Sequence, residues 1–191
     1  MVTKGLNFEN VTLVGVLSAD QSLYNSDYRA GERTFSLITQ VIGRSGRFEK
    51  PGRAVIQTFT PDNEIIRQAA RQDYDSFYED EIALRRLTGT PPFSDMFVLT
   101  ATGEDESSVL RCCRDIRAVM LRLSRDIPDT RVLGPAPLPI AKIGGVWRYR
   151  VTVEAPEKSP IRAAVRQALL ECNNSKIYRG VSLYADYNPL D

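Results

Sequence analysis

The chain has 191 residues, 42% of them apolar, with 25 basic and 24 acidic side chains and a net charge of +1, which suits one large or two small folded domains and excludes a disordered chain. It holds no histidine, and its three cysteines, Cys112, Cys113 and Cys172, form no C-x-x-C pair, so histidine triads, imidazole shuttles and zinc knots are excluded, and with one cysteine left over and two adjacent no disulfide framework is expected. No apolar run approaches the roughly eighteen residues of a membrane span and no signal-peptide core is present, so the sequence predicts a soluble protein of a reducing cytosol.

The first predicted element is a strand. Val11-Thr12-Leu13-Val14-Gly15-Val16-Leu17 is a nearly continuous apolar run ending in Ser18-Ala19-Asp20, the pattern of a parallel strand buried on both faces, with function at its C-terminal end. A helix follows, with Phe35, Ile38, Val41 and Ile42 on one face and Gly43 as its stop. Ala54-Val55-Ile56-Gln57-Thr58-Phe59 is the next strand, closed by Thr60-Pro61. Residues 1–60 therefore read as strand, helix, strand of an α/β layer, too small for a complete doubly wound domain. Residues 61–92 read as a helical connector: Asp62 and Asp73 are the expected N-caps, and Tyr74, Phe77, Tyr78, Ile82 and Leu87 the apolar stripe. Gly89 and Pro91-Pro92 end it.

From residue 93 the pattern resets. Residues 96–102 are strand-like, and Val109, Cys112, Cys113, Ile116, Val119, Met120 and Leu123 then recur at helical spacing, with Arg111, Arg114, Arg122 and Arg125 outside. The cysteines are read as core residues on that stripe. Val132-Leu133-Gly134-Pro135-Ala136-Pro137 is extended and turn-rich. Residues 146–153 alternate, with Trp147, Tyr149, Val151 and Val153 on one face and Arg148 and Arg150 on the other. Ser159-Pro160 is predicted to open a helix as N-cap and first residue, with Ile161, Ala164, Val165, Ala168, Leu169 and Cys172 inward. Residues 181–185 close as a strand. The predicted fold class is thus α/β followed by α+β, the second part (93–191) having the β-α-β-β-α-β order of a ferredoxin-like domain.

The near-zero charge conceals blocks of opposite sign. Residues 29–53, 111–131, 142–150 and 158–179 carry net charges of +4, +3, +3 and +4, while residues 62–81 carry −5. Solvated helix faces would account for any one block. Arginine outnumbers lysine 20 to 5, and its planar fork suits bidentate phosphate contact, so a polyanionic partner is a second reading.

Chemistry concentrates in Gln40-Val41-Ile42-Gly43-Arg44-Ser45-Gly46-Arg47, where two arginines project from a glycine turn just past a helix end. Such arginines can neutralise charge building on a transferring phosphoryl group. The segment resembles motif VI of superfamily 2 helicases, and Thr3-Lys4-Gly5-Leu6-Asn7-Phe8 with Val11-Thr12-Leu13-Val14 resembles their motif V. Asp27-Tyr28-Arg29-Ala30-Gly31-Glu32-Arg33-Thr34-Phe35, Pro91-Pro92-Phe93, Val132-Leu133-Gly134-Pro135 and Gly144-Gly145-Val146-Trp147-Arg148-Tyr149 narrow the resemblance to the PriA family of primosomal DNA helicases (primosomal protein N′).

The resemblance implies a C-terminal fragment: the end of a RecA-like second helicase lobe (residues 1–60), the connector, and the family's C-terminal DNA- and partner-binding domain (93–191). It implies Arg47 as arginine finger, Arg44 beside it on the triphosphate, Gln40 as nucleotide sensor, and Thr3, Lys4 and Gly5 as the coupling of nucleotide cleft to DNA. The parent would be an ATP-dependent 3′→5′ DNA helicase assembling the primosome at stalled forks in the bacterial cytoplasm, using ATP and Mg²⁺, with zinc in an upstream insertion. No Walker A or B motif is present, so the fragment alone is expected to bind no cofactor or metal and hydrolyse no ATP. Expected partners are forked or single-stranded DNA, the acidic C-terminal tail of single-stranded DNA-binding protein (SSB), and other primosome proteins, with no membrane. Trp147, Arg148, Arg150, Arg162 and Arg166 are the candidates for those contacts, with Trp147 readable equally as core or as a base-stacking platform. A non-enzymatic nucleic-acid or SSB-tail docking module is the alternative. Two positions depart from the family pattern: Ser18 stands in place of an aspartate, and Asn188 in place of the second acid of a terminal D-x-D-P.

Overall fold

A computed structural model describes residues 12–24, 27–43 and 52–189. The chain divides into two compact units, Met1–Leu87 and Thr88–Asp191. Thr3, Lys4, Gly5, Arg44 and Arg47 lie outside the described residues.

In the first unit β1 (Leu13–Val16) and β2 (Arg53–Ile56) pair in parallel, Leu13 opposite Arg53 and Val16 opposite Ile56. Between them come the single turn α1 (Asp20–Leu23) and α2 (Ala30–Ile42), which stops at Gly43 as expected. Burial of the first strand on both faces is corrected: Leu13 is 63% exposed, Val55 on β2 is 52% exposed, and Val16 alone of β1 is buried. Among the described residues no further strand flanks this pair to cover its outer positions, so apolar residues there face solvent.

Residues 61–88 form two helices, α3 (Glu64–Arg71) and α4 (Tyr74–Thr88), separated at Gln72, whose φ is +57°. The cap of α3 is Asn63, accepting from the Ile65 and Ile66 amides at 3.0 and 3.4 Å. Asp62, the expected cap, pairs instead with Arg67. Asp73 does cap α4, accepting from the Ser76 amide at 3.2 Å and its hydroxyl at 2.8 Å. Both helices share a core with α2, in which Phe35, Ile38, Ile66, Ala69 and Phe77 are buried together and the Phe35 and Phe77 rings stack 4.2 Å apart. The predicted α4 stripe is narrower than expected, since Tyr74, Tyr78 and Leu87 are exposed. The face toward α2 runs through Phe77, Glu81 and Arg85, with Arg85 bonded to both Glu81 and Glu32 at 2.8 Å; Leu87 lies about 200° round the helix from Arg85.

The second unit follows the predicted order: β3 (Ser94–Gly103), α5 (Glu106–Leu123), β4 (Arg131–Ile143), β5 (Val146–Pro156), α6 (Ile161–Asn173), a 3-10 turn (Lys176–Tyr178) and β6 (Val181–Tyr187). Its antiparallel sheet runs β4-β5-β3-β6. Asp105 caps α5, accepting from the Ser108 amide at 2.8 Å. Helical spacing then buries Val109, Cys112, Cys113, Ile116 and Met120, and α6 buries Ile161, Ala164, Val165, Ala168 and Cys172. Both helices meet Leu99, Ala101, Val151 and Val153 in one core, so the helix layer covers a single face of the sheet. The opening of α6 is corrected by one residue. Pro160 is the N-cap, its carbonyl accepting from the Ala164 amide at 3.3 Å, and the Ser159 hydroxyl is buried with no hydrogen-bond partner among the described residues.

Candidate nucleic-acid interface

Alternation along the strands decides what the second unit presents. With Val151 and Val153 in the core, the even-numbered residues of β5 and their cross-strand neighbours occupy the face opposite the helices. Across that face Arg148 neighbours Thr102, which in turn neighbours Ser182. Two residues further along β5, Arg150 neighbours Thr100 and Thr100 neighbours Tyr184. Tyr184 is 43% exposed, and Arg148 and Arg150 are half-buried. Thr100 is buried beneath these neighbours, so the face offers the two guanidinium groups, the exposed Ser182 hydroxyl and the accessible Tyr184 ring, groups that bind phosphate and stack on bases.

The five candidate residues do not form one surface. Arg148 and Arg150 lie on the uncovered sheet face, whereas Arg162 and Arg166 are exposed on α6 in the helix layer. The Arg162 guanidinium sits 4.6 Å from the Tyr187 ring centroid, and the Tyr187 hydroxyl donates to Asp95 at 2.6 Å. Trp147 is partly buried against the core, with the Lys142 ammonium 4.5 Å from its centroid. It borders the core at the sheet end and keeps part of its surface accessible. Tyr184 is absent from the sequence candidates, although Ser182, Tyr184 and Asp186 alternate with Leu183 and Ala185 and so give the signal for a polar face.

The family-like landmarks have local structural explanations. Asp27 accepts from the Arg29 amide at 3.0 Å and pairs with Arg33 at 3.0 Å, holding the chain into α2. The Tyr28 ring lies near the guanidinium groups of both Arg29 and Arg85, 5.1 and 5.3 Å from its centroid. Pro91-Pro92 and Gly134-Pro135 are both cis. Gly134 has φ +107°, and a Cβ there would come 2.8 Å from the Arg150 carbonyl oxygen. Gln40 is exposed in the last turn of α2 and borders a cavity of about 400 Å³ with Phe35, Tyr74 and Tyr78.

At the C-terminal ends of β1 and β2, Asp20 accepts from the Thr60 hydroxyl, the Thr58 hydroxyl and the Phe59 amide at 2.7, 2.8 and 2.9 Å. These bonds, led by Thr60, lower its pKa to about 2, so it is ionised at neutral pH. The cysteines show the opposite effect: burial pushes Cys112 up to about 12 and Cys113 to about 11, which makes neither a nucleophile at neutral pH. Among the described residues no group of three histidine, cysteine or carboxylate side chains could hold a metal ion, and no helix is long and apolar enough to cross a membrane.

Residues 86–190 match the family described as "Primosomal protein N C-terminal domain". The chain is 38% identical over 189 residues to the replication restart protein PriA of Bacillus subtilis, covering 99% of this chain and 23% of that protein. It is 35% identical over 191 residues to the replication restart protein PriA of Synechocystis, covering 100% of this chain and 22% of that protein. The corresponding Haemophilus influenzae protein is 33% identical over 194 residues, covering 100% of this chain and 26% of that one. The chain thus spans about a quarter of the length of these curated relatives. With its C-terminal unit matched by the family's C-terminal domain and its whole length aligned to those relatives, the chain belongs to the PriA family of replication restart proteins.

Proposed function

We propose that this chain is the C-terminal part of an ATP-dependent 3′→5′ DNA helicase of replication restart, and that its second unit binds single-stranded or forked DNA through the uncovered sheet face. The observation that carries the DNA reading is the alignment across one face of Arg148 with Thr102 and Ser182, and of Arg150 with Thr100 and Tyr184. A β-α-β-β-α-β unit with strand order β4-β5-β3-β6 is a ferredoxin-like sheet, a fold that serves many functions, so the function rests on this face. In the first unit the parallel β1–β2 pair joined through α2 fits one edge of a RecA-like lobe, the remainder of the parent supplying the strands that would cover Leu13 and Val55. Motif V and VI roles for Thr3, Lys4, Gly5, Gln40, Arg44 and Arg47 rest on resemblance. So do ATP, Mg²⁺ and zinc in the parent, the other primosome partners, a cytoplasmic location, and the lack of ATPase activity in this chain alone.

Fluorescence anisotropy with a labelled oligonucleotide at low and high salt tests the DNA reading. The affinity should fall steeply with salt, and Arg148→Glu/Arg150→Glu should flatten the slope by about 0.7 for each phosphate of the single strand that is no longer neutralised. An unchanged slope in that variant would move the interface off this face.

A second contact is favoured by the placement of Arg162 over Tyr187, with Arg166 one turn further along α6. These guanidiniums suit an acidic peptide such as the SSB tail, which would bind the helix layer while DNA occupies the sheet. Titration with such a peptide should lose affinity in Arg162→Glu and not in Arg150→Glu. Equal affinities would place the peptide elsewhere.

A further inference from the structure

The β4–β5 hairpin has features that a backbone-tracking sheet face does not require. Its turn is Gly144-Gly145 between the paired residues Ile143 and Val146, with φ values of +57° and +87°, a geometry that joins two twisted strands by the shortest loop. Further from the turn the register breaks. Lys142 faces Trp147 and Pro137 faces Tyr149, so residues 138–141 bulge opposite Arg148 alone. Ile140 in this bulge is 61% exposed, and Ile143 beside the turn is 50% exposed.

Sheet edges are usually blunted with charged side chains. Here two isoleucines occupy the tip, and cations frame them: Lys142 is held on the Trp147 ring and Arg148 stands across from the bulge. Residues 132–153 include Lys142, Arg148 and Arg150 and no acid. Glu106, which reaches the hairpin from α5, already accepts from the Tyr149 hydroxyl at 2.6 Å. The tip is a two-residue turn beside a four-residue bulge. It can meet a flat apolar surface that lies within a polyanion, and small aliphatic side chains are the groups that proteins press between base steps.

We propose that the tip of the β4–β5 hairpin, Ile140 and Ile143 framed by Lys142 and Arg148, packs on the terminal base pair where a DNA duplex opens into single strands. This rests on the DNA reading above: the sheet face holds the strand, and the hairpin recognises the junction.

The test uses the 191-residue chain with a labelled single strand and with a fork containing that strand, 2-aminopurine being placed in the last base pair of the fork. The unaltered chain should bind the fork more tightly than the single strand and lower the 2-aminopurine emission, because a tip packed on the terminal pair holds that base stacked. In Ile140→Ser/Ile143→Ser the fork affinity should fall roughly tenfold as the apolar contact is lost, with single-strand affinity unchanged and the emission change abolished. Fork preference and emission that persist in this variant would overturn the hairpin proposal and leave the sheet face standing. Arg150→Glu should weaken both DNAs, and failure of the unaltered chain to bind either DNA would overturn both readings.

Discussion

Thr60 donates its hydroxyl to the Asp20 carboxylate at 2.7 Å, tying the end of β1 to the end of β2 across 40 residues of chain. Thr58 and the Phe59 amide add bonds of 2.8 and 2.9 Å to the same carboxylate. Asp20 thus acts as a clamp on the parallel pair. Its folded pKa of about 2 lies below the ordinary value of 3.8. The clamp therefore stabilises the fold fully above the unfolded pKa and is lost as pH falls through about 2. Asp20→Asn should lower the melting temperature at pH 7 and converge with the unaltered chain near pH 2. A constant difference across that range would show that the charge of Asp20 is immaterial.

Asn188 has a similar long-range role. Its side-chain oxygen accepts from the Met96 amide at 2.9 Å, and its own amide donates to the Met96 carbonyl at 2.8 Å, closing the end of the β3–β6 ladder. Its φ of +43° suits asparagine or aspartate. An aspartate can accept the same bond, so the departure from D-x-D-P leaves this interaction in place. Asn188→Asp should change stability by less than about 0.5 kcal/mol, whereas Asn188→Ala should cost about 1 kcal/mol. Urea denaturation measures both, and equal losses would exclude the hydrogen bond as the cause.

Gly134 is required by the close approach of β4 to β5. A methyl group would meet the Arg150 carbonyl oxygen at 2.8 Å in a backbone with φ +107°. Gly134→Ala should cost on the order of 1–3 kcal/mol in chemical denaturation. It should also weaken DNA binding if the shift reaches Arg150. A variant as stable as the original would mean that the strand relaxes freely at this point.

The buried thiols offer a probe of the second unit. Cys112, Cys113 and Cys172 are free and buried, and desolvation raises all three pKa values. Because a raised thiol pKa favours the folded state below the unfolded value, this contribution persists at pH 8 and is lost only as pH rises toward the folded values of about 11 and 12. A thiol reagent at pH 8 should modify none of them in the native chain and all three in denaturant. Rapid native labelling would show that the α5–α6 core opens.

Much of the second unit was legible in the sequence. Helical spacing identified Val109, Cys112, Cys113, Ile116 and Met120 as one buried stripe of α5, and strand alternation separated Arg148 and Arg150 from Val151 and Val153. These patterns are local: a 3.6-residue or 2-residue period fixes which side chains share a face before any partner is known. The first unit was less legible, because the apolar run of β1 indicates a capacity for burial without identifying what covers it.

The tertiary structure alone decided which faces come together. Tyr184 joins Arg150 only through the pairing of both strands with β3, and Arg162 and Arg166 are set apart from it because α6 packs on the opposite face. Met96 and Asn188 meet across 92 residues. Sequence by itself determined the order of the elements and the inward face of each, since those follow from short-range periodicity. Register and layer decided the candidate interface, because side chains distant in sequence become neighbours only when the hydrogen-bonded ladder and the shared core fix the strands in place.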